Sequence, residues 1–293
     1  MTPPRFSIVI PSYDRPESIR ECVSSLTALE YPADRFEVIV VDDGSPAPIA
    51  PVLEEIPRRF ALRIVRRMRG GPAAARNSGL EVAAGEFVAF TADDCRPRPD
   101  WLATLARRFA GDPSIGVGGR IENRAADNVY SASTEMLMRH LHEYFNALDE
   151  DARFFTPNNL TFPLAALREA GGFRPGFVTG EDRELCDRWR SRGHRLVYAP
   201  EAVVDHFHPL GLASFCHLHY RYGRGSRRFR RAAALRGSDS AGFEPLSFYL
   251  DLVRFPLTRS RDGRALTMSG LLLVAQLANA AGYLRQWLAG ADE

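Results

Sequence analysis

The sequence predicts an α/β fold: a mostly parallel β-sheet with helices on both faces, followed by a helical C-terminal tail. Three observations carry this. Over residues 6–94, short continuously apolar runs alternate with helix-length segments, as expected of strands buried on both faces of a parallel sheet. Three of those runs end in polar, acidic turns, at Ser12-Tyr13-Asp14, Asp42-Asp43-Gly44-Ser45 and Asp93-Asp94. Beyond Leu210 the strand pattern gives way to helical, basic stretches.

The elements follow in order. Residues 6–10 form a β-branched run that ends at Pro11, and residues 16–29 read as a helix with Pro16 in its first turn. Residues 36–41 are a second buried strand, and a weaker helix covers 49–59. Residues 62–65 are a third strand, 72–84 an alanine-rich helix and 86–90 a fourth strand. Residues 99–150 are helical around one strand at 115–121, and 154–162 suggests another strand. Residues 180–192 are helical, and 194–198 and 202–206 read as two short strands. In an open α/β sheet, ligands bind outside the carboxyl ends of the strands, so the three acidic turns are expected on one functional rim.

Composition narrows the chemistry. With 45% hydrophobic and 25% charged residues among 293, the chain is globular, large enough for one elaborated domain and a tail. All 38 basic residues are arginine. That excludes a P-loop lysine, a Schiff base and a pyridoxal phosphate linkage. Cys22, Cys95, Cys186 and Cys216 are scattered without a CxxC pair, which suits a reducing compartment. No apolar signal region precedes the first strand, so the expected location is cytoplasmic. Charge is uneven: residues 1–205 hold 26 arginines against 30 acids, and residues 206–293 hold 12 against 6.

Several blocks together carry a resemblance. They are 7–15 (SIVIPSYDR), 37–45 (EVIVVDDGS), 70–79 (GGPAAARNSG), 90–95 (FTADDC), Asn158-Asn159, 171–173 (GGF), Gly180-Glu181-Asp182 and 203–206 (VVDH). In this order the chain resembles family 2 glycosyltransferases of the GT-A fold, over about residues 6–208. The resemblance implies a catalytic domain at 1–208 and a basic helical extension at 209–293. It implies an inverting transfer of sugar from a nucleotide-diphospho-sugar, with UDP expected, to a glycan, lipid-linked or small-molecule hydroxyl. Pro11, Tyr13, Asp14, Asp42, Asp43, Arg76 and Asp93 are implied donor contacts. Asp94 and His206 are implied ligands of Mn²⁺ or Mg²⁺. Asp182 is the implied base, with Glu181, Asn158 and Asn159 on the acceptor side.

The residue types suit these roles. A turn carboxylate accepts imide or ribose hydrogen bonds. Hard divalent cations take oxygen ligands and bridge phosphates. A carboxylate opposite the leaving diphosphate can take the acceptor proton. The chain departs from the family's Asp-X-Asp at Ala92, which leaves Asp94 as the direct ligand and Asp93 beside it. His206 is read as a ligand, and His208, before Pro209, as a turn residue. The Gly223-Arg224-Gly225 segment follows no strand and is read as a helix interruption, not a dinucleotide site.

Two rival classes remain open on sequence alone: a sugar-phosphate nucleotidyltransferase, and a non-catalytic binding protein on a transferase fold. In the tail, seven arginines between Arg221 and Arg236 interleave with aromatics and precede the uncharged stretch 265–284. There Gln276, Asn279, Tyr283 and Gln286 fall on one helical face and Leu273, Leu277 and Leu284 on another. The stretch is expected to lie as an amphipathic helix in a membrane interface or packed on the catalytic domain, in preference to spanning; the expected partner of 210–293 is an anionic membrane surface, in preference to nucleic acid.

Overall fold

A computed structural model of the chain describes residues 2–177, 179–259 and 263–290. In chain order the elements are β1 (Phe6–Ser12), α1 (Pro16–Ser25), β2 (Phe36–Asp42), α2 (Ala50–Glu54), β3 (Ala61–Arg66), α3 (Pro72–Val82), β4 (Phe87–Phe90), β5 (Cys95–Pro97), α4 (Trp101–Gly111), β6 (Gly116–Asn123), α5 (Val129–Phe145), β7 (Leu160–Pro163), α6 (Leu164–Glu169), α7 (Glu181–Ser191), β8 (Leu196–His206), α8 (Leu212–Leu235), α9 (Leu246–Arg259) and α10 (Ala265–Leu288). One eight-stranded sheet runs β3-β2-β1-β4-β7-β6-β8-β5. The first four strands are parallel, β7 runs against both neighbours, and β6 and β8 are again parallel.

Alternation along each strand divides the core in two. Phe6, Ile8 and Ile10 point into one layer with Val38 and Val40, under α1 and α4. Val9, Ile39 and Val41 point into the other, with α3 and α7 residues such as Ala75, Leu80, Leu185 and Trp189. Burial on both faces is why these strands read as unbroken apolar runs.

Several local expectations are corrected. The helix at 49–59 shrinks to Ala50–Glu54, because Pro57 disfavours helical backbone at the residue before it. The strand at 154–162 begins only at Leu160, after Pro157. The two short strands at 194–206 are one strand, β8, with a register shift opposite Gly119/Arg120 that absorbs Pro200-Glu201-Ala202. Bulges of this kind let a strand carry a residue that cannot donate to the ladder.

The tail does not stand apart from residues 1–208. Asn128 Nδ2 donates to Leu210 O at 2.8 Å, and Ser131 Oγ donates to His208 O. Arg236 pairs with Glu184 and Asp187 of α7 at 2.8 and 2.6 Å. Helix α8 is unbroken through Gly223-Arg224-Gly225, against the expected interruption. These glycines serve close packing: a Cβ on Gly223 would lie 1.8 Å from Asn279 O of α10. The polar face of α10, including Gln286, is turned inward, where Gln286 Oε1 accepts Arg224 Nε at 3.1 Å. The leucine face points outward, with Leu266, Leu273, Leu277 and Leu284 exposed.

Candidate active site

The rim is built by strand register. Ser12 at the end of β1 pairs with Asp42 at the end of β2, and Asp43 N donates to Ser12 O at 2.9 Å. Asp42 is buried; its Oδ1 accepts Ser45 N at 2.9 Å and its Oδ2 lies 3.4 Å from Arg66. Asp43 shapes the following loop, accepting from Gly70 N, Gly71 N and Arg67 at 3.0, 2.7 and 2.5 Å. Asp14 holds a left-handed backbone, φ 54°, fixed by its N–H donating to Ser45 Oγ at 2.9 Å. A non-glycine residue held in this region carries backbone strain, a feature that gathers at functional sites. The Tyr13 ring lies 4.0 Å beneath the Arg69 guanidinium. Pro11 closes the same strand end, partly buried.

Asp93 and Asp94 follow β4. Asp93 Oδ2 accepts Ser12 Oγ at 2.8 Å, which ties the third acidic turn to the first. Burial and then the neighbouring Asp94 charge push the Asp93 carboxyl up, against Arg15 and Ser12. Asp94 Oδ1 lies 3.3 Å from His206 Nε2, and its Oδ2 lies 3.1 Å from both His208 Nδ1 and Arg15. Burial would raise Asp94, but hydrogen bonds and charge from the two histidines hold it well below the carboxylate range. The two imidazoles stack, 6° from parallel, because alternate residues of an extended segment share a face. Cys95 lies in the same cluster, but a soft, fully buried thiol is a poor partner for a hard cation. Asp94 and His206 offer an oxygen and an imidazole nitrogen close enough to share a divalent cation, and His208 meets the other Asp94 oxygen at 3.1 Å.

The second cluster caps α7. Gly180, in a left-handed backbone, turns the chain so that Glu181 and Asp182 open the helix. Glu181 Oε1 meets Arg76 at 2.8 Å in a buried ion pair. Burial, then repulsion from Glu181, pushes the Asp182 carboxyl up to about 7, near the best value for a general base at neutral pH. The preceding loop is held by α8: Thr179 Oγ1 donates to Arg221 O at 2.6 Å. Gly225 allows this approach, since a Cβ there would lie 2.2 Å from Thr179 O.

With this geometry in place, the sequence profile of glycosyl transferase family 2 matches residues 7–171. The chain belongs to that family. The glycosyltransferase AglE of Haloferax volcanii is 28% identical over 216 residues, covering 70% of this chain and 67% of the relative. The pre-mycofactocin glycosyltransferase of Mycobacterium tuberculosis is 31% identical over 211 residues, covering 69% of this chain but only 42% of that relative. Among solved structures, the mannosyltransferase PcManGT from Pyrobaculum calidifontis, in complex with GDP-Man and Mn²⁺, superposes with a TM-score of 0.63 at 23% identity, over 99% of this chain and 81% of that one. TarS of S. aureus with UDP-GlcNAc gives 0.60 at 16% identity, over 95% and 89%. These likenesses establish the GT-A fold.

Within this family 2 domain, some expected positions need correction. Asn159, expected to face an acceptor, is buried; it accepts Trp101 Nε1 and donates to Arg120 O and Ala202 O, each at 2.9 Å. It satisfies the carbonyls that the β6–β8 irregularity leaves unpaired. Asn158 keeps a partly exposed side chain. Arg76, expected at the nucleotide, pairs with buried Glu181 at 2.8 Å, and its Nε is buried without a partner. His208, expected to be a turn residue, joins the Asp94 cluster. Arg15, Arg66 and Arg67, which pair with Asp93, Asp94, Asp42 and Asp43, carry no local sequence signal beyond the acidic turns they serve.

The arginine run is also spent differently. Of its seven members only Arg231 is exposed. Arg224 bonds Gln286, Arg228 bonds Gly176 O, and Arg236 bonds α7. Three of the seven arginines are therefore engaged within the fold rather than offered to a partner surface.

Proposed function

We propose that the protein is a metal-dependent, inverting glycosyltransferase that uses a nucleotide-diphospho-sugar. The observation that carries this is a pairing of two carboxylate clusters. Asp94 is held ionised between two histidines, and Asp182 is held near 7 at the N-terminus of α7. Asp94, His206 and His208 would hold Mn²⁺ or Mg²⁺, which when bound offsets charge on the departing diphosphate. Asp42 and Asp43, with the loop that Asp43 organises, receive the nucleoside, and Tyr13 and Arg69 wall it. Asp182 takes the proton of an acceptor hydroxyl; the oxygen bonds to the anomeric carbon, and the bond to the diphosphate oxygen breaks with its electron pair leaving on the nucleoside diphosphate. One displacement from the opposite face inverts the anomeric centre.

The relatives' donors, GDP-Man for PcManGT and UDP-GlcNAc for TarS, define the first panel to test. A thermal-shift screen of nucleotide-sugars with Mn²⁺ should raise the midpoint for one donor, since ligand that binds only the folded state stabilises it. No shift with any donor, together with no sugar transfer, would overturn the reading.

The outward leucine face of α10, continued by Leu250 and Leu257 of α9, supports peripheral attachment to a lipid surface, where a lipid-linked acceptor resides. Helix α10 is long and apolar enough to cross a membrane, but its inward face is packed on α8. The attachment is therefore interfacial, driven by leucine insertion more than by the arginine run.

A further inference from the structure

A cavity of about 870 Å³ lies between α7 and the C-terminal end of α8, away from the acidic rim. Arg183, Asp187 and Arg190 line it from α7, spaced so that one helical face looks into it. Phe229 and Arg236 of α8 and Phe243 beyond it form the opposite wall. None of the acids of the rim, and neither Glu181 nor Asp182, reaches this space.

Its cations are unequal. Arg236 is paired with Asp187 and Glu184, and Arg190 with Asp151 at 3.2 Å. Asp187 also accepts Ser238 Oγ at 2.5 Å, and Glu244 accepts the Tyr144 hydroxyl at 2.9 Å. Arg183 differs. Among the described residues its guanidinium has no carboxylate within ion-pair distance and no hydrogen-bond partner; it lies 4.6 Å from the Phe229 ring, 5.6 Å from Phe154 and 5.7 Å from Phe145. Arg230 stands behind this wall, 4.2 Å from the Phe243 ring, with its Nε buried and unpartnered. Burial and then the Arg230 charge lower the Arg183 pKa. Asp182, Asp187 and Glu244 attract this cation from a distance, but none is in ion-pair contact with it, and a cation among rings beside another cation is costly unless an anion makes that contact. Rings at this distance stack on an aromatic or aliphatic body as well as on the guanidinium.

We infer that this cavity is a binding site for a ligand carrying one anionic group on an aromatic or aliphatic body, with Arg183 as the anion's partner and Phe229 and Phe243 as the apolar walls. The site is separate from the nucleotide-sugar rim. It adjoins the Glu181–Asp182 cluster of α7 through the backbone, since Arg183 follows Asp182.

Calorimetric titration of the full chain with phenyl phosphate, inorganic phosphate and phenol tests this. Phenyl phosphate should bind more tightly than either fragment. Arg183→Met should weaken it at least tenfold, and Glu244→Gln, which removes a negative charge from the lining, should tighten it a few-fold. Binding should persist with nucleoside diphosphate and Mn²⁺ present. Equal affinity in wild type and Arg183→Met, or displacement by the nucleotide, would overturn the assignment. Should Arg183→Met fail to fold, Glu244→Gln decides alone: unchanged or weaker binding overturns it.

Discussion

Asp182→Asn separates chemistry from folding in one variant. The ordinary carboxyl value is 3.8, and burial with the Glu181 charge raises it to about 7. A raised carboxyl means the folded chain binds the proton more tightly than the unfolded chain. The stability cost is absent below about pH 3.8, grows as pH rises, and is complete above about 7. At 1.36 kcal/mol per pKa unit the ceiling is about 4 kcal/mol. Partial solvent access and sharing of charge with Glu181 reduce this to on the order of 1–2 kcal/mol. Asparagine keeps an oxygen to accept Arg183 N and carries no charge. The variant should therefore melt about 2–8 °C above wild type at pH 8, and the gap should close near pH 4. Turnover should fall roughly 10²–10⁴-fold, with donor affinity unchanged by calorimetry. Wild-type turnover should itself decline as pH drops below about 7, as Asp182 takes up its proton. An unchanged or lower melting midpoint at pH 8, with activity within a few-fold of wild type, would refute the reasoning.

Three further outcomes follow from the packing. Gly225→Ala places a Cβ against Thr179 O and should lower turnover more than donor affinity, because it moves the loop that carries Asp182; equal loss of both would mean general unfolding. His208→Ala should weaken Mn²⁺ roughly tenfold or more in a metal titration; an unchanged constant would return His208 to a turn residue. Leu273→Glu with Leu277→Glu should abolish co-sedimentation with vesicles, while wild-type binding should persist at high salt. Binding lost at high salt in wild type would restore the arginines as the docking element.

The sheet and its rim were legible because both rest on short-range signals. Apolar runs mark strands buried on both faces, and acidic turns at their carboxyl ends mark the ligand edge. What remained hidden depends on partners far apart in sequence. Asn159 looks like an acceptor contact until the β6–β8 irregularity, which needs its amide, is in view. His208 reads as a turn residue because nothing local reveals Asp94, 114 positions away. The arginine run reads as a surface patch, yet Arg224, Arg228 and Arg236 bond Gln286 of α10, the Gly176 carbonyl and Glu184 of α7. The packing of the tail on residues 1–208 was hidden for the same reason: α8 braces the segment before Asp182 through Thr179.

In the proposed function, Asp94 with its two histidines makes nucleotide-sugar binding depend on a divalent cation. Calorimetric titration of the preferred nucleotide-sugar, after chelation and again with Mn²⁺ restored, tests it most directly in wild type and Asp94→Asn. Strong binding only with Mn²⁺ in wild type, and loss of that gain in Asp94→Asn while the variant stays folded with a somewhat lower metal-free melting midpoint, is the predicted result. Equal affinity with and without metal, or an undiminished gain in the variant, would contradict it.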